Sequence, residues 1–222
     1  FAALHAEISQ LSVAKIVAEM QSVRVGQLGL AIVGAMISFA ALIGHDVLAL
    51  RYAGKNLALR RAAFASFSAY AISNSLGFGF VTGSAVRFRL YGAWGLNAEQ
   101  IAIVGAATGS TIILGATTLA GVGLLTEAAF FDSFLPVPEI ALRGLGVLCL
   151  FVPVAFLAWS LRGGGAITFG AVTIKRPPPG RALAQLGVSL ADWAGGALVI
   201  YALLPESTAF GYVAFLPIFV IA

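Results

Sequence analysis

Between Tyr70 and Tyr91 the chain reads YAISNSLGFGFVTGSAVRFRLY. Asn74, Ser75, Thr82 and Ser84 supply amide and hydroxyl groups, and Gly77, Gly79 and Gly83 supply bare backbone. Arg87 and Arg89 add two guanidinium groups. Arginine grips phosphate bidentately, so the mixture has the makings of a phosphate cradle. Arg87 follows Gly83 by four residues and precedes Tyr91 by four, sharing a helical face with both. Arg89 points to nearly the opposite side, and its expected role is to snorkel to headgroups. At most one of the two faces a given pocket, and Arg87 is the candidate. The same small polar residues also act as glue between membrane helices, and at this level both readings stay open.

Two acids stand in apolar surroundings. Asp46 lies in GHDVLALRY and Asp192 in SLADWAGG. A carboxylate at membrane depth needs a partner or a proton. Asp46 has three candidate roles: pairing with the nearby Arg51, pairing with an intramembrane arginine, or receiving a cationic headgroup. Asp192 pairs with an arginine or faces a cavity. His45 is either a satisfied polar residue or a proton relay.

Hydrolytic and nucleotide motifs are missing. Thr82-Gly83-Ser84-Ala85 lacks the second glycine of a nucleophile elbow, and no metalloprotease, P-loop or dinucleotide fingerprint occurs. The single cysteine, Cys149, sits in an apolar run and reads as a small buried hydrophobe. The expectation is a non-catalytic chain with no metal site and no cofactor.

What positions these groups is a membrane protein. The 222 residues are 60% hydrophobic and 10% charged, with mean hydropathy +0.98, against about 25% charged residues in ordinary globular domains. The net charge of +4 is carried by clusters between apolar runs, as topology signals and headgroup contacts are. No basic reading face for nucleic acid is evident. A span needs about 20 apolar residues. The expected order is an interfacial helix within 1–24, spans at 25–50, 101–125, 142–161 and 183–204, and a last segment opening at Pro205-Glu206. The run 162–181 reads as a glycine- and proline-containing loop.

The positive-inside rule puts the basic runs 51–61 and 162–181 in the cytoplasm and the acidic loop 126–139 outside. Between the first basic run and the acidic loop the chain crosses an odd number of times, yet two apolar stretches lie there, 62–86 and 101–125. One of them therefore does not cross. The glycine-rich stretch is the candidate for a re-entrant hairpin over 62–89, turning near Gly77 to Gly83. The competing arrangement is a full span with both arginines outside. The expected fold class is thus all-α, a polytopic transmembrane helical bundle with a re-entrant glycine-rich segment. The expected domain is a single one over 1–222, cut from a longer protein.

Over most of its length, and most strongly from Gly44 to Leu125, the sequence resembles the N-terminal membrane part of bacterial phosphatidylglycerol lysyltransferases, the multiple peptide resistance factor (MprF) family. The stretch GHDVLALRYAGKNLALRRAAFASFSAYAISNSLGFGFVTGSAVRFRLYGAWGLNAEQIA carries the likeness. The pattern Asn74, Gly83, Arg87 is also similar to a wider group of flippase-like proteins. The resemblance implies translocation of lysyl-phosphatidylglycerol to the outer leaflet of the bacterial inner membrane, which confers resistance to cationic peptides. It implies a C-terminal synthase domain as partner, the aminoacyl transfer from tRNA belonging there. A homodimer is the other partner expectation. The expected headgroup site is Arg87, Asp46, Asn74, Ser75, Gly83, Ser84, Arg89 and Asp192. Two rival readings remain: a small-solute transporter, and a structural anchor that dimerises the synthase.

Overall fold

The computed structural model describes residues 23–76, 79–132, 136–162, 164–169, 172–205 and 210–221. The fold is an all-α polytopic helical bundle. In chain order the elements are α1 Val25–Tyr52, α2 Leu59–Leu76, α3 Gly79–Ala93, α4 Ala98–Thr126, α5 Ala128–Asp132 and α6 Glu139–Leu161. Strands β1 Ala166–Phe169 and β2 Val172–Lys175 follow, then α7 Pro179–Leu203 and α8 Tyr212–Ile221. The interfacial helix expected in 1–24 lies outside the described residues except for Val23 and Arg24.

Four of these helices, α1, α4, α6 and α7, are long and apolar enough to cross a membrane. Their outer faces are greasy: Ile32, Met36, Leu148, Phe151 and Val154 are all exposed, while His45, Asp46, Thr111, Gln185 and Ser189 are buried. Water would favour the reverse. Lipid solvates the apolar faces and drives the polar groups inward to find partners. The chain is a multi-pass membrane protein.

Between these helices the association comes from close packing rather than from apolar burial. α1 and α7 run antiparallel. A Cβ on Gly34 would stand 2.8 Å from the Gly195 carbonyl oxygen, and one on Gly195 would stand 2.8 Å from that of Gly34. Nearer the N-terminus of α1, Gln27 Nε2 donates to Leu204 O at 3.2 Å. α4 and α6 close in the same way at Gly121 and Gly146. α4 and α7 run parallel and share a polar seam. The Ser189 hydroxyl accepts from Gly115 N at 2.9 Å and donates to Thr111 O at 2.5 Å, so it inserts into the α4 ladder. Gln185 Nε2 donates to Thr111 Oγ1 at 3.1 Å beside it.

Chain reversals are written into the helix ends. α1 stops at Gly54, whose φ of 73° only glycine adopts readily. Gly54 N then donates to Arg51 O and Lys55 N to Leu50 O, the paired bonds of a Schellman motif. α3 stops identically at Gly95, φ 86°, with Leu96 N donating to Tyr91 O. α4 opens on a capping box, in which Asn97 Oδ1 accepts from Gln100 N and Gln100 Oε1 accepts from Asn97 N.

The stretch 62–89 is two helices, α2 and α3, packed antiparallel, with residues 77–78 between them outside the described residues. Gly79 to Gly83, part of the expected turn, is already helical. The start of α2 and the end of α3 lie at one end of the bundle: Ala62, Ala65, Tyr91 and Leu96 share a cluster with Ala49 and Leu50 of α1. Arg51, Lys55, Arg60, Arg61, Arg162 and Arg181 belong to this end, and Glu127, Asp132 and Glu139 to the other.

The 162–181 run carries one correction to the sequence reading. β1 and β2 pair there as an antiparallel hairpin, Ala166 opposite Lys175 through Phe169 opposite Val172. The alternation AITF…VTIK was short enough to pass for loop.

Candidate functional site

His45 and Asp46 are neighbours on α1, so their side chains leave the helix about 100° apart. One reaches α7 and the other reaches the α2–α3 hairpin. Asp46 is completely buried. Arg87 Nε of α3 donates to its two carboxylate oxygens at 3.1 and 3.3 Å, and Ser66 of α2 donates to Oδ2 at 2.5 Å. The pair forms with Arg87, not with Arg51. Tyr91, one turn further along α3, buries its hydroxyl against this pair without a hydrogen bond of ordinary geometry.

On the other flank of α1, Ser38 donates to Asp192 Oδ1 at 2.7 Å. His45 Nε2 stands 3.4 Å from Asp192 Oδ2. The two groups are close enough to pair electrostatically but are not aligned as a hydrogen bond, and neither ring nitrogen has a hydrogen-bond partner among the described residues. Tyr70 of α2 lies within electrostatic reach of Asp192, Arg87 and Asp46, which makes one cluster of the two flanks.

Gly83 is the hinge of this packing. A Cβ there would stand 2.6 Å from Ser73 Oγ and 3.5 Å from Arg87 Nη1. Its absence lets α2 and α3 close and lets the Arg87 side chain lie back over the preceding turn, as long helical side chains do. Thr82 Oγ1 is 3.4 Å from Ser73 Oγ beside it.

The eight expected site residues therefore divide. Asp46, Gly83, Arg87 and Asp192 converge. Ser75 is exposed and turns back to its own helix, donating to Ala71 O at 2.8 Å. Ser84 and Arg89 are exposed on the outer face of α3. Asn74 belongs to α2, and its side chain is outside the described residues. Sequence reasoning missed Ser38, Ser66 and Tyr70 as partners. Ser66, Tyr70 and Ser73 recur at helical spacing, a polar stripe that could have been found.

One carboxylate thus faces a permanent cation, and a second stands on the other flank of α1. Asp46 takes the Nε edge of Arg87, and the Tyr91 hydroxyl lies against the same guanidinium. Asp192 holds only a hydroxyl and an imidazole among those residues. The cluster can offer a cationic edge and a spare acid at once, which suits a ligand bearing both signs.

This geometry sits in a chain of recognisable kinship. The sequence is 28% identical over 220 residues to an uncharacterized protein, slr0712, of Synechocystis sp., covering 99% of this chain and 68% of that protein. It is also 28% identical over 179 residues to the inner membrane protein YbhN of Escherichia coli, covering 80% of this chain and 56% of YbhN. The chain thus spans between about half and two thirds of these relatives' length. No family profile matches it.

Proposed function

We propose that this chain is the translocating part of a bacterial inner-membrane lipid flippase whose cargo is an aminoacylated phosphatidylglycerol. The observation that carries the reading is the buried cluster in which Asp46 takes the Nε edge of Arg87 while a second acid, Asp192, stands across α1. A lysyl-phosphatidylglycerol headgroup has a phosphodiester and ammonium groups, and would match that pair of signs. Arg87 Nη receives the phosphate, Asp192 receives an ammonium, and the acyl tails stay in lipid. The resemblance of residues 44–125 to the lysyltransferase membrane part supports the choice of cargo. The name of YbhN supports the inner membrane.

In this reading the α2–α3 hairpin is re-entrant. It enters from the cytoplasmic face with α2 and, on α3, returns Arg87 toward the leaflet in which the lipid is made. Neither helix is among the four long, apolar ones, and their outer ends share one end of the bundle. The synthase domain of the parent protein supplies the cargo at that face.

The test measures outer-leaflet lysyl-phosphatidylglycerol in cells carrying Arg87→Gln or Asp192→Asn in the full-length protein, with total lysyl-lipid as the synthesis control. The expected result is unchanged synthesis with exposure reduced by at least about tenfold, since each change removes a charged contact of about 1.5 kcal/mol or more. Normal exposure in both variants overturns the reading and leaves the anchor. Loss of uptake of a soluble amino-acid ester instead points to a solute carrier.

A further inference from the structure

At the basic end of the bundle a cavity of about 740 Å3 opens between α1, the α1–α2 connection and the start of α7. Arg51, Lys55, Asn56 and Arg181 make its polar wall, and Val47 and Leu50 of α1 are among its apolar lining residues. Among the described residues three cations line it and no carboxylate does. Arg51 and Lys55 are four residues apart and Arg181 is distant in the sequence, and the fold brings them together. The Schellman turn at Gly54 reverses the chain so that Lys55 and Asn56 close over the end of α1. Pro178 and Pro179 start α7 and set Arg181 in its first turn.

Two other cations at this end are already engaged. Arg61 lies over the Trp94 ring at 5.8 Å and Arg176 over Trp159 at 5.3 Å, contacts that hold a guanidinium by its face. The cavity cations have no such ring contact among the described residues. The C-terminal end of α1 brings partial negative charge that Arg51 in its last turn offsets, while α7 and α2 begin here, and neither Pro178 nor Ala58 supplies a side-chain oxygen to the first-turn N–H groups. Those two N-terminal ends carry partial positive charge. Converging like charges with no acid beside them in the lining leave a site for an anion.

We infer that this cavity is a phosphate-ester binding site, separate from the buried Asp46–Arg87 cluster, and that its ligand is the headgroup of an anionic phospholipid of the cytoplasmic leaflet. A soluble phosphate ester shares the charged chemistry, but it has no use for the apolar part of the cavity. Val47, Leu50, Leu57 and Leu59 present that surface directly beside the cations, where the first carbons of the glycerol and acyl chains would lie. Leu50 is one helical turn beyond Asp46 on α1. The cavity therefore lies next to the intramembrane cluster along α1. The inference rests on the membrane reading of the chain and not on translocation.

The experiment counts phosphatidylglycerol bound to the purified full-length protein by native mass spectrometry, with phosphatidylcholine as neutral control and glycerol phosphate as soluble competitor. The variants are Arg51→Gln/Arg181→Gln and, for loss of nearby charge outside the cavity, Arg60→Gln. Saturable phosphatidylglycerol binding is expected, weakened about tenfold or more by the double change, little altered by Arg60→Gln, and poorly displaced by glycerol phosphate. Equal weakening per charge removed in Arg60→Gln means diffuse surface attraction and overturns the site. Displacement by glycerol phosphate at similar affinity overturns the lipid assignment in favour of a soluble ester. The two proposals have separate readouts, the cavity variants in lipid bound to the purified protein and Arg87→Gln in outer-leaflet exposure in cells, so either can fail alone.

Discussion

At the scale of single residues the bundle is organised by one acid that has no water to turn to. Asp46 is wholly buried, and its charge is held by Arg87 and Ser66. Removing one member of a buried pair strands the other, typically at a cost of about 3–5 kcal/mol. Asp46→Asn is therefore expected to destabilise the protein by about 3 kcal/mol, measured by denaturant unfolding in detergent micelles. The double variant Asp46→Asn/Arg87→Gln should recover most of that loss, because neither neutral amide leaves a charge unpaired. Additive losses in the double variant would mean that the two residues act independently. The prominence of Arg87 was legible in the sequence, since its spacing from Gly83 and Tyr91 put all three on one face. Its partner was not. Asp46 lies far from it in the chain, and Arg51 was equally available on local spacing. Only the return of the hairpin toward α1 decides between them.

At the scale of elements, the packing of α1 on α7 keeps the second acid in place. Gly34 and Gly195 let the backbones approach closely enough for Ser38 to reach Asp192 and for His45 to stand beside it. A Cβ at 195 would meet Ser38 N at 2.7 Å and Gly34 O at 2.8 Å, both rigid backbone. Gly195→Leu must push the helices apart, an overpacking cost of roughly 1–3 kcal/mol, and it should break the Ser38–Asp192 hydrogen bond with it. Gly187→Ala on the same helix meets nothing within 4 Å, and is expected to leave stability unchanged or raise it by up to about 1 kcal/mol through helix propensity. Thermal unfolding of both variants in the same detergent tests the contrast, and equal effects would remove the close approach from the argument. The four long helices were readable from apolar run length alone, because lipid demands that length. The β-hairpin was not, since β1 and β2 are four residues each and carry too little periodicity to separate strand from loop. The turn expected near Gly77 to Gly83 overlaps α3 from Gly79 on, because glycines that serve helix packing, such as Gly83, look the same in sequence as glycines that bend a chain.

At the scale of the whole molecule the question is which residues face which compartment, and the helix ends settle what must be measured. α1 ends and α2 begins at the basic end, and α3 ends and α4 begins there too, with Gly54 and Gly95 closing both turns in the same manner. A single crossing, α4, then connects this end to the acidic end at Glu127 and Asp132. A full span by α2 alone would separate Ala62 and Ala65 from Tyr91 by the thickness of the bilayer, yet they share one cluster with Leu50. Packing thus gives a hairpin with both feet at the basic end of the bundle. With Cys149 replaced by alanine, single cysteines at Ala58, Glu99 and Val137, all exposed, report the arrangement through a membrane-impermeant thiol reagent. Intact cells should label Val137→Cys alone, and inside-out vesicles should label Ala58→Cys and Glu99→Cys together. Labelling of Glu99→Cys from outside would make α2 and α3 cross as a net odd number and would carry Arg87 away from the cytoplasmic leaflet. The cation cavity would then lie on the far side of the membrane from Glu99, and the route from cavity to cluster would have no continuous path. Joint labelling from inside keeps cavity, hairpin feet and Arg87 on one face, which is the arrangement a lipid collected from the cytoplasmic leaflet requires.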